Sequence, residues 1–141
     1  MTARRILLVD DHREMTRMLR TSLELLNRGY LIEDVPSGEE AMLALRRKPV
    51  DLLITDVRLP GMPGLELLAR LRSRNALPPA IVISGAATAE TEARARELAH
   101  AFFVKPLHTD DFLRAVQIAL RETVEMPEVL AVIPAAPPPP L

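Results

Sequence analysis

Short apolar runs alternate along the chain with stretches in which apolar residues recur at helical spacing. Ile6 to Val9 is four apolar residues between Arg5 and Asp10, too short for a helix and therefore a buried strand. Met15, Met18, Leu19, Ser22, Leu23, Leu25 and Leu26 then follow a helical period, and Gly29 predicts its stop. Tyr30 to Val35 alternates as a strand does. Ser37 and Glu40 form a capping-box pattern that opens a helix carrying Ala41, Met42, Ala44 and Leu45. Val50 to Thr55 predicts a third strand ending at Asp56. Pro60, Gly61, Pro63 and Gly64 mark a tight loop, and Leu65, Leu67, Leu68 and Leu71 a third helix. Pro78 and Pro79 precede a fourth strand, Ala80 to Ile83, which ends at Ser84 and Gly85. A fourth helix over Thr88 to Leu98 is mostly alanine and charge, with a thin apolar stripe. Phe102 to Val104 is a short fifth strand before Lys105-Pro106. Thr109 is expected to cap the last helix, which carries Phe112, Leu113, Val116, Ala119 and Leu120.

Strands alternating with helices in this way build a parallel sheet covered on both faces, and near-continuous apolar strands fit burial on both sides. The pattern fills residues 1–122 as a single domain. The remainder, 123–141, changes character, because six of the last fifteen residues are proline, including Pro137 to Pro140. Such a segment is expected to build neither helix nor sheet and to be an extended, mobile linker.

Composition narrows the function classes. The chain has 141 residues, 48% of them hydrophobic, which suits one domain with a real core. Its 18 basic and 19 acidic residues leave a formal charge of −1, so there is no bulk attraction to nucleic acid or an anionic membrane. It contains no cysteine, which excludes disulfides, thiolate catalysis and Cys-bound zinc. No run reaches the roughly 18 apolar residues of a membrane span. A soluble protein of the cytoplasm is expected.

The polar residues matter by position. Asp10 and Asp11 follow the first strand, Asp56 ends the third, Ser84 the fourth and Lys105 the fifth. In an open parallel sheet these carboxyl ends share one edge, where ligands bind. Polar residues also mark the points where strands emerge into water, but emergence alone does not predict three carboxylates, a hydroxyl and an ammonium together. Neighbouring carboxylates repel unless a cation lies among them, and Mg²⁺ is the hard ion that prefers oxygen ligands. Metal, lysine and hydroxyl are the groups that neutralise a phosphoryl group in transfer. No GxxxxGK[ST] phosphate loop is present, which weighs against nucleotide binding.

With these residues the chain resembles the response-regulator receivers of bacterial two-component systems. The likeness runs from about Arg4 to Arg121. It is carried by Ile6-Leu7-Leu8-Val9-Asp10-Asp11, by Asp51 to Met62 around Asp56, by Ile83-Ser84-Gly85 and by Phe102-Phe103-Val104-Lys105-Pro106, in that order. The resemblance implies a doubly wound α/β fold, flavodoxin-like, with a five-stranded parallel sheet in the order 2-1-3-4-5. It implies that Asp56 accepts a phosphoryl group from a sensor histidine kinase or a histidine phosphotransfer protein. Asp10, Asp11, Asp56 and the backbone carbonyl of Arg58 would hold Mg²⁺, Lys105 would pair with the phosphoryl group and Ser84 would hydrogen-bond to it. Phe102 matches the aromatic that turns inward with that hydroxyl, and Pro106 a proline usually preceded by a cis peptide. The implied partners are the kinase, a downstream protein target and a second copy through the face of the fourth helix, fifth strand and fifth helix. Neither nucleic acid nor membrane is implied.

Two departures touch the fourth helix. The family has glycine and alanine seven and six residues before the lysine, where this chain has Leu98 and Ala99, and Ser84 to Lys105 is one residue short. His12, His100 and His108 read as surface or helix-entry residues rather than ligands. Arg4-Arg5 and Arg46-Arg47-Lys48 read as solvated charge. Three other functions compete with a stand-alone receiver. One is a receiver module of a longer regulator with an output domain beyond the tail. An aspartyl-phosphate hydrolase would need an acid two residues after Asp56, and Arg58 stands there, so no turnover enzyme is expected. A scaffold without phosphoryl chemistry would not need every one of these groups.

Overall fold

Alternate residues of the central strands enter two apolar layers, one on each face of a parallel sheet. The computed structural model describes residues 3–127 and the backbone of Val132–Ile133. Strands β1 (Arg5–Val9), β2 (Leu31–Val35), β3 (Leu52–Asp56), β4 (Ala80–Ser84) and β5 (Ala101–Val104) form one sheet in the order β2-β1-β3-β4-β5, all parallel. Ile6, Leu8, Leu52, Ile54, Ile81 and Ile83 meet Met15, Leu19 and Leu23 of α1 (Arg13–Glu24) and Phe112, Leu113 and Val116 of α5 (Thr109–Ala119). Leu7, Val9, Leu53, Ala80 and Val82 meet α2 (Gly38–Arg47), α3 (Gly64–Ser73) and α4 (Ala89–Leu98) on the other face. The expected doubly wound order is the order found.

Helix ends follow local chemistry. Of the expected Ser37–Glu40 capping box the forward half forms: the Glu40 amide donates to Ser37 Oγ at 3.2 Å, and the Ser37 hydroxyl rather than its amide donates to Glu40 Oε2 at 3.0 Å. The first helix stops at Glu24, short of Gly29, because Asn27 and Gly29 both take left-handed backbone in the turn toward β2. Thr109 is the first helical residue rather than the cap. His108 takes the cap position without a side-chain bond, and the Thr109 side chain is buried. Helix α4 opens with Thr88 Oγ1 accepting from the Thr91 amide at 3.0 Å. It ends without a left-handed residue. Leu98 stays helical and buried, and Ala99 turns extended (φ −128°, ψ 160°).

Past α5 the chain differs from the expectation that the tail builds no sheet. Val132–Ile133 (β7) pairs antiparallel with Leu107–His108 (β6), Leu107 opposite Ile133 and His108 opposite Val132. Val132 and Ile133 interrupt the proline-rich composition with two β-branched residues whose amides can enter a ladder. The extended, mobile linker expected over the rest of 128–141 falls outside the described residues. Among the described residues no helix is long and apolar enough to cross a membrane.

Candidate functional site

Register brings the distant polar residues to one edge. Val9, Thr55, Val82 and Phe102 lie in one row across β1, β3, β4 and β5. One step further along each strand come Asp10, Asp56, Ile83 and Phe103, and Ser84 lies opposite Val104. Period-two alternation then sorts the side chains. Asp10, Asp56 and Lys105 continue the parity of the α1–α5 layer, whereas Ser84 and Phe102 belong to the layer of α2, α3 and α4.

Lys105 Nζ donates to Asp56 Oδ2 at 2.6 Å and lies 3.9 Å from Asp10 Oδ2. All three side chains are buried, the lysine only 6% exposed. The other Asp56 oxygen, Oδ1, accepts from the Arg58 amide at 2.9 Å. Burial raises the pKa of Asp10 above the ordinary carboxylate value, and the nearby charge of Asp56 adds to it. The hydrogen bond from the His12 amide and the charge of Lys105 oppose that rise. One ammonium faces two buried carboxylates, which leaves net negative charge in a site of low polarity. A bound cation could offset that imbalance.

Asp10, His12 and Asp56 can bring one ligand atom each to within 4.8 Å of one another. His12 stays on the surface, 63% exposed at the entry of α1 as expected, and its ring nitrogen reaches the rim of the site. The cause is local. Asp10 Oδ1 accepts from the His12 amide at 2.9 Å, an Asx turn that folds residue 12 back, and His12 Nδ1 lies 3.0 Å from the same oxygen. An aspartate three residues before the helix start, two before its cap, is the signal for it. Asp11 is half-exposed, its Oδ1 3.2 Å from His12 Nδ1, and does not join that group. Arg58 contributes its amide.

Ser84 is buried at the end of β4, and its hydroxyl points into its own loop, donating to the Ala86 carbonyl and accepting from the Ala86 amide. Phe102 is 8% exposed and packs in the layer of Ala95 and Leu98. The Lys105–Pro106 peptide bond is cis. Gly64 closes the loop after β3, its amide donating to the Val57 carbonyl at 2.9 Å, and it lies so near Asp56 that a Cβ there would overlap the Asp56 carbonyl oxygen.

This constellation can be set beside known proteins. The sequence model of the response regulator receiver domain matches residues 6–117. The chain belongs to that family. This receiver domain is 34% identical over 132 residues to the phosphate regulon transcriptional regulatory protein PhoB of Rhizobium meliloti, covering 92% of the chain and 56% of that protein. It is 29% identical over 119 residues to the transcriptional regulatory protein GlrR of Escherichia coli, covering 84% of the chain and 26% of GlrR. The receiver thus spans about half, or less, of the length of these relatives. Among solved structures, the response regulator receiver domain protein of Methanospirillum hungatei matches with a TM-score of 0.76 and 27% identity, over 85% of this chain and 95% of that one. A receiver domain of this family is a signalling module of two-component systems.

Proposed function

We propose that this receiver accepts a phosphoryl group on Asp56 from a sensor histidine kinase or a histidine phosphotransfer protein, and that the acylphosphate changes which protein it binds. The observation that carries this reading is the buried Lys105–Asp56 pair at 2.6 Å, with Asp10 beside it, at the carboxyl edge of the sheet. One Asp56 oxygen forms the bond to phosphorus as the phosphorus–nitrogen bond of the donor breaks, and the imidazole leaves with its electron pair. The Arg58 amide and Lys105 hold the two oxygens apart, so the carboxylate is oriented before the donor arrives. Lys105 then follows the charge onto a phosphoryl oxygen.

Mg²⁺ fits this donor set because buried carboxylates outnumber the ammonium. Asp10, Asp11, Asp56 and the Arg58 carbonyl would hold it: Asp10 and Asp56 already lie together beside the His12 ring, and Asp11 would turn in next to them. Bound there, the ion supplies charge neutralisation of the phosphoryl oxygens. Ser84 would exchange its bond to the Ala86 carbonyl for one to the phosphoryl group, and Phe102 would read that movement on the layer it shares with α4. The position two residues after Asp56, where a hydrolase would carry its acid, holds Arg58, so the reading is a switch of the cytoplasm rather than an enzyme. A downstream protein, or a second copy through the face of α4, β5 and α5, is the proposed recipient of the signal.

Acetyl phosphate with Mg²⁺ tests this directly. Intact mass should show one added phosphoryl group, lost in Asp56→Asn and lowered in Asp10→Asn. Equal labelling of Asp56→Asn would place the acceptor elsewhere. A second reading is favoured by the relatives named as transcriptional regulators, in which the matched part is 56% and 26% of the whole. In that setting the receiver is the input half of a longer regulator, and the segment after α5 connects it to the output.

A further inference from the structure

Helix α5 ends in a turn that sends the chain back along the domain. Arg121 takes left-handed backbone (φ 58°), and the Glu122 amide donates to the Gln117 carbonyl at 2.8 Å. Glu122 is then held from two sides, by Arg28 Nη1 at 3.0 Å and by the Tyr30 hydroxyl at 2.6 Å. Arg28 Nη2 also donates to the Thr123 carbonyl at 2.6 Å. Gln117 of α5 is completely buried, and its Oε1 accepts from the Glu125 amide at 2.8 Å. Met126 packs against the α1–α5 layer. A second anchor lies at the opposite end of α5, where β7 pairs with β6. The six residue steps from Met126 to Val132 reach about 20 Å when extended, and the 11 residues of α5 rise about 16 Å, so a single segment can hold both anchors.

We propose that the segment after α5 is strapped to the domain at two anchors, an inner one at Glu122–Met126 and an outer one at Val132–Ile133, and that filling the Asp56 site loosens the outer anchor while the inner one holds. The coupling rests on the receiver reading. β6 begins two residues after Lys105, whose ammonium must leave Asp56 Oδ2 to follow a phosphoryl group. A ladder of two residues has few hydrogen bonds with which to resist a shift of its partner strand. The inner anchor combines an ion pair, a phenol bond and a buried amide, all remote from Lys105. The segment that leaves the receiver would therefore respond to the state of its acidic site.

Amide-resolved hydrogen exchange on the full chain tests both parts, with beryllofluoride plus Mg²⁺ as the phosphoryl probe. In the free protein the Glu125 amide and the β6–β7 amides should exchange at least about tenfold slower than in an unstructured peptide. Exchange of Glu125 at the free-peptide rate would overturn the strap. Gln117→Leu should abolish protection at Glu125 while α5 keeps its own, and Arg28→Met should weaken it, which keeps the test open should one variant fold poorly. Adding beryllofluoride should speed exchange in the β6–β7 ladder about fivefold or more and leave Glu125 unchanged. Resonance shifts at Asp56 and Lys105 with an unchanged ladder would overturn the coupling. No shifts at Asp56 or Lys105 would instead count against the receiver reading, and the strap would then be decided by the free-protein exchange alone.

Discussion

Gly64 stands where β3 hands over to α3, and the Asp56 carbonyl fills the space a side chain would need. Gly64→Ala should therefore push the end of β3 and the start of α3 apart. The expected cost is about 1–3 kcal/mol by denaturant titration, with slower labelling of Asp56 by acetyl phosphate. Gly85→Ala, at the end of β4 with nothing within 4 Å of the added carbon, should change stability by less than about 0.5 kcal/mol and serves as the control. Tyr30 gives a second reading at this scale, because it is the only tyrosine in the chain. Burial, and then its bond to the Glu122 carboxylate, raise the phenol well above its ordinary value of 10.0. The proton is thus held more tightly in the folded state than in the unfolded one. The stability this contributes is complete below pH 10 and is lost as pH rises above it, when the unfolded chain ionises first. Absorbance at the tyrosinate band should stay flat past pH 10 until the protein unfolds, and Tyr30→Phe should flatten the fall in stability above that pH.

Among the helices, α4 has the least to hold it. Only Ala95 and Leu98 are buried, against five residues of α1, and its remaining surface is alanine and paired charge such as Arg94–Glu97 and Arg96–Glu92. Exposed pairs of that kind add little. Amides of Ala89–Leu98 should exchange faster than those of Arg13–Glu24. Thr88→Ala, which removes the only side-chain cap of α4, should cost about 1 kcal/mol and speed exchange in its first turns about fivefold. Equal protection of α1 and α4 would contradict this. The thin apolar stripe made the weakness of α4 legible in the sequence. Its termination was not, because Leu98 stands where the family has glycine, and the answer, an extended Ala99 with Leu98 tucked against the α3 layer, depends on a packing partner far away in the chain.

Across the whole molecule, Phe112 ties α5 to the sheet. It is fully buried in the α1–α5 layer and meets Phe103 edge to face, ring centres 6.4 Å apart. Phe112→Ala should cost about 3–5 kcal/mol in a single cooperative transition, whereas Ile118→Ala on the same helix, where Ile118 is 59% exposed, should stay within about 0.5 kcal/mol. Thermal unfolding followed by two independent probes checks both. The order of strands and helices, the two apolar layers and the gathering of Asp10, Asp56, Ser84 and Lys105 at one edge were determined by sequence, because period and strand length alone dictate which residues are buried and where strands end. Tertiary structure decided that Lys105 pairs with Asp56 rather than Asp10, that the exposed His12 ring sits against Asp10 and Asp11, and that Val132–Ile133 finds an edge at Leu107–His108. Each of these is a choice among partners of the same chemical kind. Ångström-scale distances between elements settle such choices, and a linear pattern of residue types carries no record of those distances.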